Sequence, residues 1–332
     1  MTEMPDEAVG SSATDPLELR TDHRLGNGAS GPTDPADLPE YRSLRADVWR
    51  QFRRHRGAVI GLVILAIVLV AVFIGPFVYP LDPFAIDVSS ANQGPSWAHM
   101  MGTDNLGRDV MARVLVGGRI SLLIGVTAML VAVFVGTAIG LFAGFFRWMD
   151  GPLMRLTDLF LSLPLLPLLL VILVLFRDDL KDRFGPNLGI FLLVVVVIGA
   201  TNWMQTARIV RGDVLAIKEE EFVLAARSIG TKSRKIVTRH ILPNVLSPVT
   251  VAASLGVAYA ILTESALSFL GLGFPADFPT WGRLLFDAKD YLSINMWRVL
   301  WPGIMISITV ISVTFIGDGM RDALDPKLRS KG

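Results

Sequence analysis

The chain has 332 residues, of which 52% are hydrophobic and 18% charged, and a mean hydropathy of +0.52. This is too apolar for an ordinary soluble domain and points to an integral membrane protein, expected to be all-α because its apolar stretches have the length of membrane-spanning helices. The formal net charge of +1 gives no global field for nucleic acid, and the absence of cysteine excludes disulfides, thiolate metal sites and a cysteine nucleophile.

Residues 1–40 are rich in Pro, Gly, Ser, Thr and Asp, show no sustained apolar period, and read as a disordered tail. Residues 41–56 change character. Leu44, Val48, Trp49 and Phe52 share a helical face amid Arg42, Arg45, Arg50, Arg53, Arg54 and Arg56, the pattern of an interfacial helix lying on lipid. Nucleic-acid binding is disfavoured by the position of this basic run against an apolar span. That span begins only after Arg56 and is long enough to cross a bilayer, so a cleaved signal peptide is not expected.

Six apolar stretches of about 20 residues or more, the length a ~30 Å hydrocarbon core requires, cover 57–78, 121–145, 157–176, 188–206, 246–270 and 299–317. They divide the chain into a first span with its outer loop (57–117), a core of five spans (118–320) and a tail (321–332). Lys and Arg concentrate before the first span, in 208–239 and after the last span, which predicts cytoplasmic N- and C-termini.

Within the spans, Gly136, Gly140 and Gly144 repeat on one face and predict close helix packing. Pro164 and Pro167 each remove a backbone donor and predict a kink, either lining a pathway or only packing. Arg155 and Asp158 are spaced to pair across one helix face. Glu264 is a carboxylate within a span, expected near the outer mouth as a gate residue or, more simply, a helix cap. In the loop before the second long apolar run, Gly102, Asp104, Asn105, Gly107 and Asp109 carry turn chemistry rather than the alternating ligands of a calcium loop. Trp281, Trp297 and Trp301 read as interfacial anchors in a second outer loop.

The stretch 218–243, KEEEFVLAARSIGTKSRKIVTRHILP, is a charged island between two spans. Phe222, Ala225, Ala226 and Ile229 recur on one helical face, Glu219 to Glu221 suit the positive end of the dipole, and Gly230 stands where a left-handed cap falls. A short helix over 219–229 is expected. A basic second helix with Lys232, Arg234, Lys235 and Arg239 follows, and Pro243 is expected to prevent its uninterrupted continuation. From pattern alone this is either a docking elbow or an ordinary loop helix.

Ala225-Ala226, Gly230 and Leu242-Pro243 resemble the EAA motif of ABC-importer permeases, with Leu224 standing where the motif has Glu and His240 where it has Ile. GTDNLGRDV (102–110), RHILPN (239–244), LSFLGLG (267–273) and GDGMRDALDP (317–326) resemble the C-type subunit of dipeptide, oligopeptide and nickel importers. The resemblance runs from about residue 41 to the C-terminus. It implies the type I ABC importer permease fold in the bacterial inner membrane, a homologous B-type permease, two ATPase subunits and an extracytoplasmic substrate-binding protein. It further implies alternating access, with Glu221, Phe222, Ala225, Ala226, Arg227, Ile229, Gly230 and Pro243 forming the ATPase-coupling segment. ATP and magnesium would belong to the partner ATPases, and this chain would hold no cofactor.

The chain's own residues carry no G-x-x-x-x-G-K-[ST] phosphate loop, no H-E-x-x-H and no G-x-S-x-G, and its histidines, His23, His55, His99 and His240, are scattered. No enzyme is expected. The competing class is a self-contained secondary transporter or channel, which needs ion-coupling groups near the midplane or a pore built by one chain.

Overall fold

The computed structural model describes residues 44–324, so the expected tail over 1–40, the first residues of the interfacial helix and the end of the C-terminal tail lie outside the described residues. Helix α1 (Leu44–Arg54) is followed by α2 (Arg56–Val78), α3 (Val110–Phe145), α4 (Arg147–Ser162), α5 (Leu165–Phe184) and α6 (Pro186–Ile217). The elbow contains α7 (Glu221–Ser228) and α8 (Ser233–Ile236), and α9 (Leu242–Phe269), α10 (Trp281–Ala288) and α11 (Trp297–Leu324) complete the chain. Among the described residues, five helices are long and apolar enough to cross a membrane, and the bent pair α4–α5 makes up to six. The elbow marks one end of the bundle; residues 79–109 and α10 mark the other, here called the loop end.

Burial separates the helices by role. The most apolar window of α2 is 22% buried and that of α6 is 61% buried, so α2 is peripheral and α6 central. The expected glycine stripe is what admits α3 to α6. A Cβ on Gly136 would lie 2.6 Å from the Thr206 Cβ, one on Gly140 2.6 Å from the Val210 Cβ, and one on Gly144 2.6 Å from the Val214 Cβ. Apolar attraction between helices is weak in lipid, so this close approach supplies much of the association.

Helix α3 is 36 residues long, about 54 Å at 1.5 Å per residue, and starts well before the expected boundary at 121. Arg113 and Arg119 marked the end of the apolar run in sequence but belong to the helix. Arg119 Nε donates to Val72 O at 2.6 Å and its Nη2 to Phe73 O at 2.7 Å. Val72 O is the carbonyl that Pro76, inside α2 and lacking an N–H, leaves without its helical donor. The cation thus repairs the proline's defect.

Two further expectations are corrected. The kink expected in the third span falls at Pro164 but is a full break: α4 and α5 meet at 89°, because Leu163 and Pro164 leave helical geometry and Pro164 becomes the N-cap of α5, while Pro167 sits inside α5 without breaking it. Pro243 does not interrupt the basic helix either. Residues 233–269 run on as one 37-residue helix, since a π turn over Val237–Ile241, closed by the Leu242 N–H donating to Val237 O, precedes the proline and widens the backbone before it.

Candidate functional site

The elbow is built on an apolar foot. Val223 and Ala226 of α7 are buried together with Ile236 and Ile241, and Val223, Ile236 and Ile241 cluster with Val210, Val214 and Val245 of α6 and α9. Lys218, which ends α6, donates from Nζ to Gly144 O at 3.3 Å and ties the elbow to the end of α3. The other side of α7 is open: Phe222 is 46% exposed, Ile229 83%, and Ala225 is exposed between them. The expected single apolar face is therefore two faces. Phe222, Ala225 and Ile229 look outward with Glu221 and Arg227, whereas Ala226 points into the bundle, because apolar residues flank both sides of this short helix and the foot selects only Val223 and Ala226.

Gly230 ends α7 as expected. At φ +78 its N–H donates to Arg227 O at 3.0 Å, and the Thr231 N–H donates to Ala226 O at 3.1 Å, the paired bonds of a Schellman cap. Nothing lies within 4 Å of a Cβ built at this position, so backbone conformation alone demands glycine. His240 lies in the π turn with its ring 6.2 Å from that of Phe222, and Pro243 occupies the first turn of α9.

At mid-bundle, the α4–α5 break opens a cavity of about 500 Å³ bordered by Leu163 and Leu165 beside Pro164 and closed by α3, α6 and α9. Pro167 lies in the first turn of α5. Sequence reading passed over Asn202 and Gln205, which line this space with Tyr259; two polar amides three apart in an apolar run were the available signal.

Glu264 is neither a cap nor at an open mouth. It is fully buried in the last two turns of α9, where Ser268 Oγ donates to its Oε1 at 2.7 Å and Ser121 Oγ of α3 donates to its Oε2 at 3.3 Å. The Trp281 backbone N–H donates to the same Ser121 Oγ at 3.2 Å. Trp281 is fully buried, with Nε1 donating to Val114 O at 2.9 Å, so it is a joint of α3, α9 and α10 and not a membrane anchor.

The loop end is pinned by ions. Asp104 accepts from Arg108 Nε at 2.7 Å and Arg113 Nη1 at 2.6 Å, and its Oδ1 accepts from the backbone N–H of Leu106 and of Arg108. Burial pushes its carboxyl up, but Arg108, that backbone bond and Arg113 outweigh burial and hold it below the usual carboxylate range. Gly102 and Gly107, at φ +77 and +76, make the expected turns, and Asp109 caps α3 through Ala112 N at 2.7 Å. Arg298 of α11 reaches Asn92 and Asn105 of the loop. At the elbow end, Asp158 pairs with Arg208 of α6 rather than with the expected Arg155, and Asp150 pairs with Arg211. Folding α4 back against α6 supplies these nearer cations.

Residues 136–330 match the family described as binding-protein-dependent transport system inner membrane component, and residues 43–95 match the N-terminal TM domain of oligopeptide transport permease C. The chain is 35% identical to the dipeptide transport system permease protein DppC of Alkalihalophilus pseudofirmus over 94% of this chain and 100% of that protein. It is 39% identical to the oligopeptide transport system permease protein OppC of Haemophilus influenzae, over 87% of this chain and 91% of that one. A solved structure, inward-facing conformations of the MetNI methionine ABC transporter, aligns with a TM-score of 0.51 at 18% identity, over 63% of this chain and 94% of that chain, a likeness of fold.

Proposed function

Because the chain belongs to the family of binding-protein-dependent transport system inner membrane components, we propose that it passes the motion of partner ATPases into its own helices to import di- and oligopeptides or similar small solutes. It is a multi-pass inner-membrane permease component and not an enzyme. In this reading the elbow end and both termini are cytoplasmic. The chain pairs with a B-type permease and two ATPase subunits that hold ATP and magnesium, and it receives substrate from an extracytoplasmic binding protein.

The observation that carries the reading is the two-sided α7. Its foot, Val223 and Ala226, is packed against α6 and α9, while Phe222, Ala225 and Ile229 stay exposed beside Glu221 and Arg227. A lever needs both a rigid attachment to what it moves and a free face for what drives it. Closure of the ATPase dimer would pull on α7, and the foot would deliver the displacement to α6 and α9, opening the bundle alternately to each side.

The decisive experiment is Ala225→Arg in the assembled importer. A guanidinium on the free face blocks docking without disturbing the foot, so dialanine uptake is abolished while membrane insertion and thermal unfolding of the chain stay at wild-type values. Phe222→Cys should cross-link to an ATPase subunit. Normal uptake by Ala225→Arg, or no ATPase adduct from Phe222→Cys in an active complex, would overturn the coupling role.

A further inference from the structure

Five helices, α3, α4, α5, α6 and α9, meet around the cavity at the α4–α5 break, and its lining contains no Asp, Glu, Lys, Arg or His. Its polar groups are nonetheless placed unevenly. Thr201 Oγ1 is turned back on its own helix, donating to Val197 O and Ile198 O at 3.0 Å each. Asn202 Nδ2 likewise donates to Ile198 O at 2.8 Å, which leaves its carbonyl oxygen available. The Gln205 amide and the Tyr259 hydroxyl make no hydrogen bond to any described residue, and both side chains are exposed. Around them stand Met129, Met204 and Leu255, adaptable apolar side chains that fit varied shapes.

We propose that this cavity is a transit site for a short peptide, which Asn202, Gln205 and Tyr259 hold by its backbone amides while the methionines and Leu255 accept its side chains. The proposal rests on the importer reading above and names what that pathway recognises. Its volume of about 500 Å³ lies within the ~300–1,000 Å³ usual for small-molecule sites. Neutral amides and a phenol match the donors and acceptors of a peptide bond, which every peptide carries, so recognition is indifferent to side-chain identity. The absence of charge also has a reason. Once the pathway closes over the cargo and excludes water, an ion pair to a peptide terminus would be strong enough to hold it, and a transit site must bind weakly enough to release. The 89° break supplies the space, since an unbroken third span would run on where the cavity opens.

The wild-type chain has no cysteine, so Gln205→Cys gives this chain a single thiol, whose labelling is read on this chain after it is separated from its partner subunits. In the full importer reconstituted in vesicles, a membrane-impermeant thiol reagent should modify the introduced thiol from one side without nucleotide and from the other after vanadate trapping. Dialanine delivered by the binding protein should slow that modification. Gln205→Glu should raise the uptake ratio of alanyl-lysine to alanyl-aspartate several-fold over wild type, and Asn202→Leu/Gln205→Leu should lower uptake of both. If the thiol of Gln205→Cys stays unreactive in every state while dialanine is imported, or if the Gln205→Glu ratio is unchanged, the transit site is wrong and the importer reading stands. If the wild-type complex imports no peptide although the reactivity of that thiol follows nucleotide state, the peptide reading fails and this assignment falls with it.

Discussion

The two ends of the bundle are held by different physics. At the loop end, the 79–109 loop, α3, α10 and α11 are joined through buried charges: Asp104 with Arg108 and Arg113, Arg113 and Arg283 with Asp287, and Arg298 with Asn92 and Asn105. At the elbow end, α7 rests on a few aliphatic side chains, and its charges point outward. Paired buried charges define one geometry and make departures from it costly, whereas an aliphatic foot tolerates a small slide. The coupling proposed above would need this division, because a loop-end frame that yielded would absorb the stroke delivered at the elbow.

The largest expected effect follows from breaking the frame. Arg113 is 1% exposed and touches Asp104 and Asp287, so Arg113→Met takes one of two cations from the buried Asp104, which keeps Arg108, and one of two from the partly buried Asp287, which keeps Arg283. Removing one partner of such a pair costs about 3–5 kcal/mol. The variant should unfold at a clearly lower temperature in detergent and accumulate poorly, and adding Asp104→Leu should recover part of the loss. A wild-type unfolding temperature for Arg113→Met would remove the distinction between the two ends.

A smaller effect at the same end depends on pH. The Tyr79 phenol is pushed up to about 12, first by burial and then by its hydrogen bond to Asp109 at 3.0 Å. The folded-state value lies above that of the unfolded chain, so the folded state favours the neutral phenol. The contribution is complete below pH ~10 and is lost as pH rises through the folded value. Tyr79→Phe removes a bond to a charged acceptor worth about 1.5–3 kcal/mol. The stability gap between wild type and Tyr79→Phe should therefore be flat below pH ~10 and shrink above it; a gap independent of pH would mean the phenol is not held in this way.

Gly230→Ala probes the elbow end. Its cost is the left-handed backbone alone, about 1–2 kcal/mol, because there is room for the methyl group. The strain falls on the joint between α7 and α8, so uptake should drop with only a small change in global unfolding temperature. Equal losses of both would show that the elbow is as integral to stability as the frame.

What the chain disclosed in sequence were the features that local chemistry decides. The apolar windows, the Gly136-Gly140-Gly144 stripe against α6, the turns at Gly102 and Gly107 and the Gly230 cap each follow from the residues at the spot. What stayed hidden depended on a distant partner. Trp281 in a loop looks like an interfacial anchor until α3 supplies Ser121 and the Val114 carbonyl. Ala225 and Ala226 are chemically identical, and only the position of α6 and α9 turns one outward and the other in. Pro243 promised a break, but a π turn placed before it let the helix continue. For the site itself, the α7 segment was legible and the cavity was not, since its walls come from five helices, two of them set by an 89° bend.

The smallest effect is expected at the exposed ion pair between Arg208 and Asp158, where the side chains are 47% and 60% accessible to solvent. Water screens such a pair, and ordering two flexible side chains offsets most of the attraction, so Arg208→Ala should cost only about 0.2–1 kcal/mol. The neighbouring Arg211–Asp150 pair is less exposed, at 33% and 27%, and is doubly bonded, with Nη2 to Oδ2 at 2.7 Å. Arg211→Ala should therefore cost more than Arg208→Ala, yet less than Arg113→Met, whose carboxylate partners are only 6% and 15% accessible to solvent. Adding salt should erase the Arg208 effect first and leave the Arg113 effect almost untouched. If salt weakened all three equally, the buried charges at the loop end would be as wet as those at the elbow, and the stiffness assigned to that end would have no physical basis.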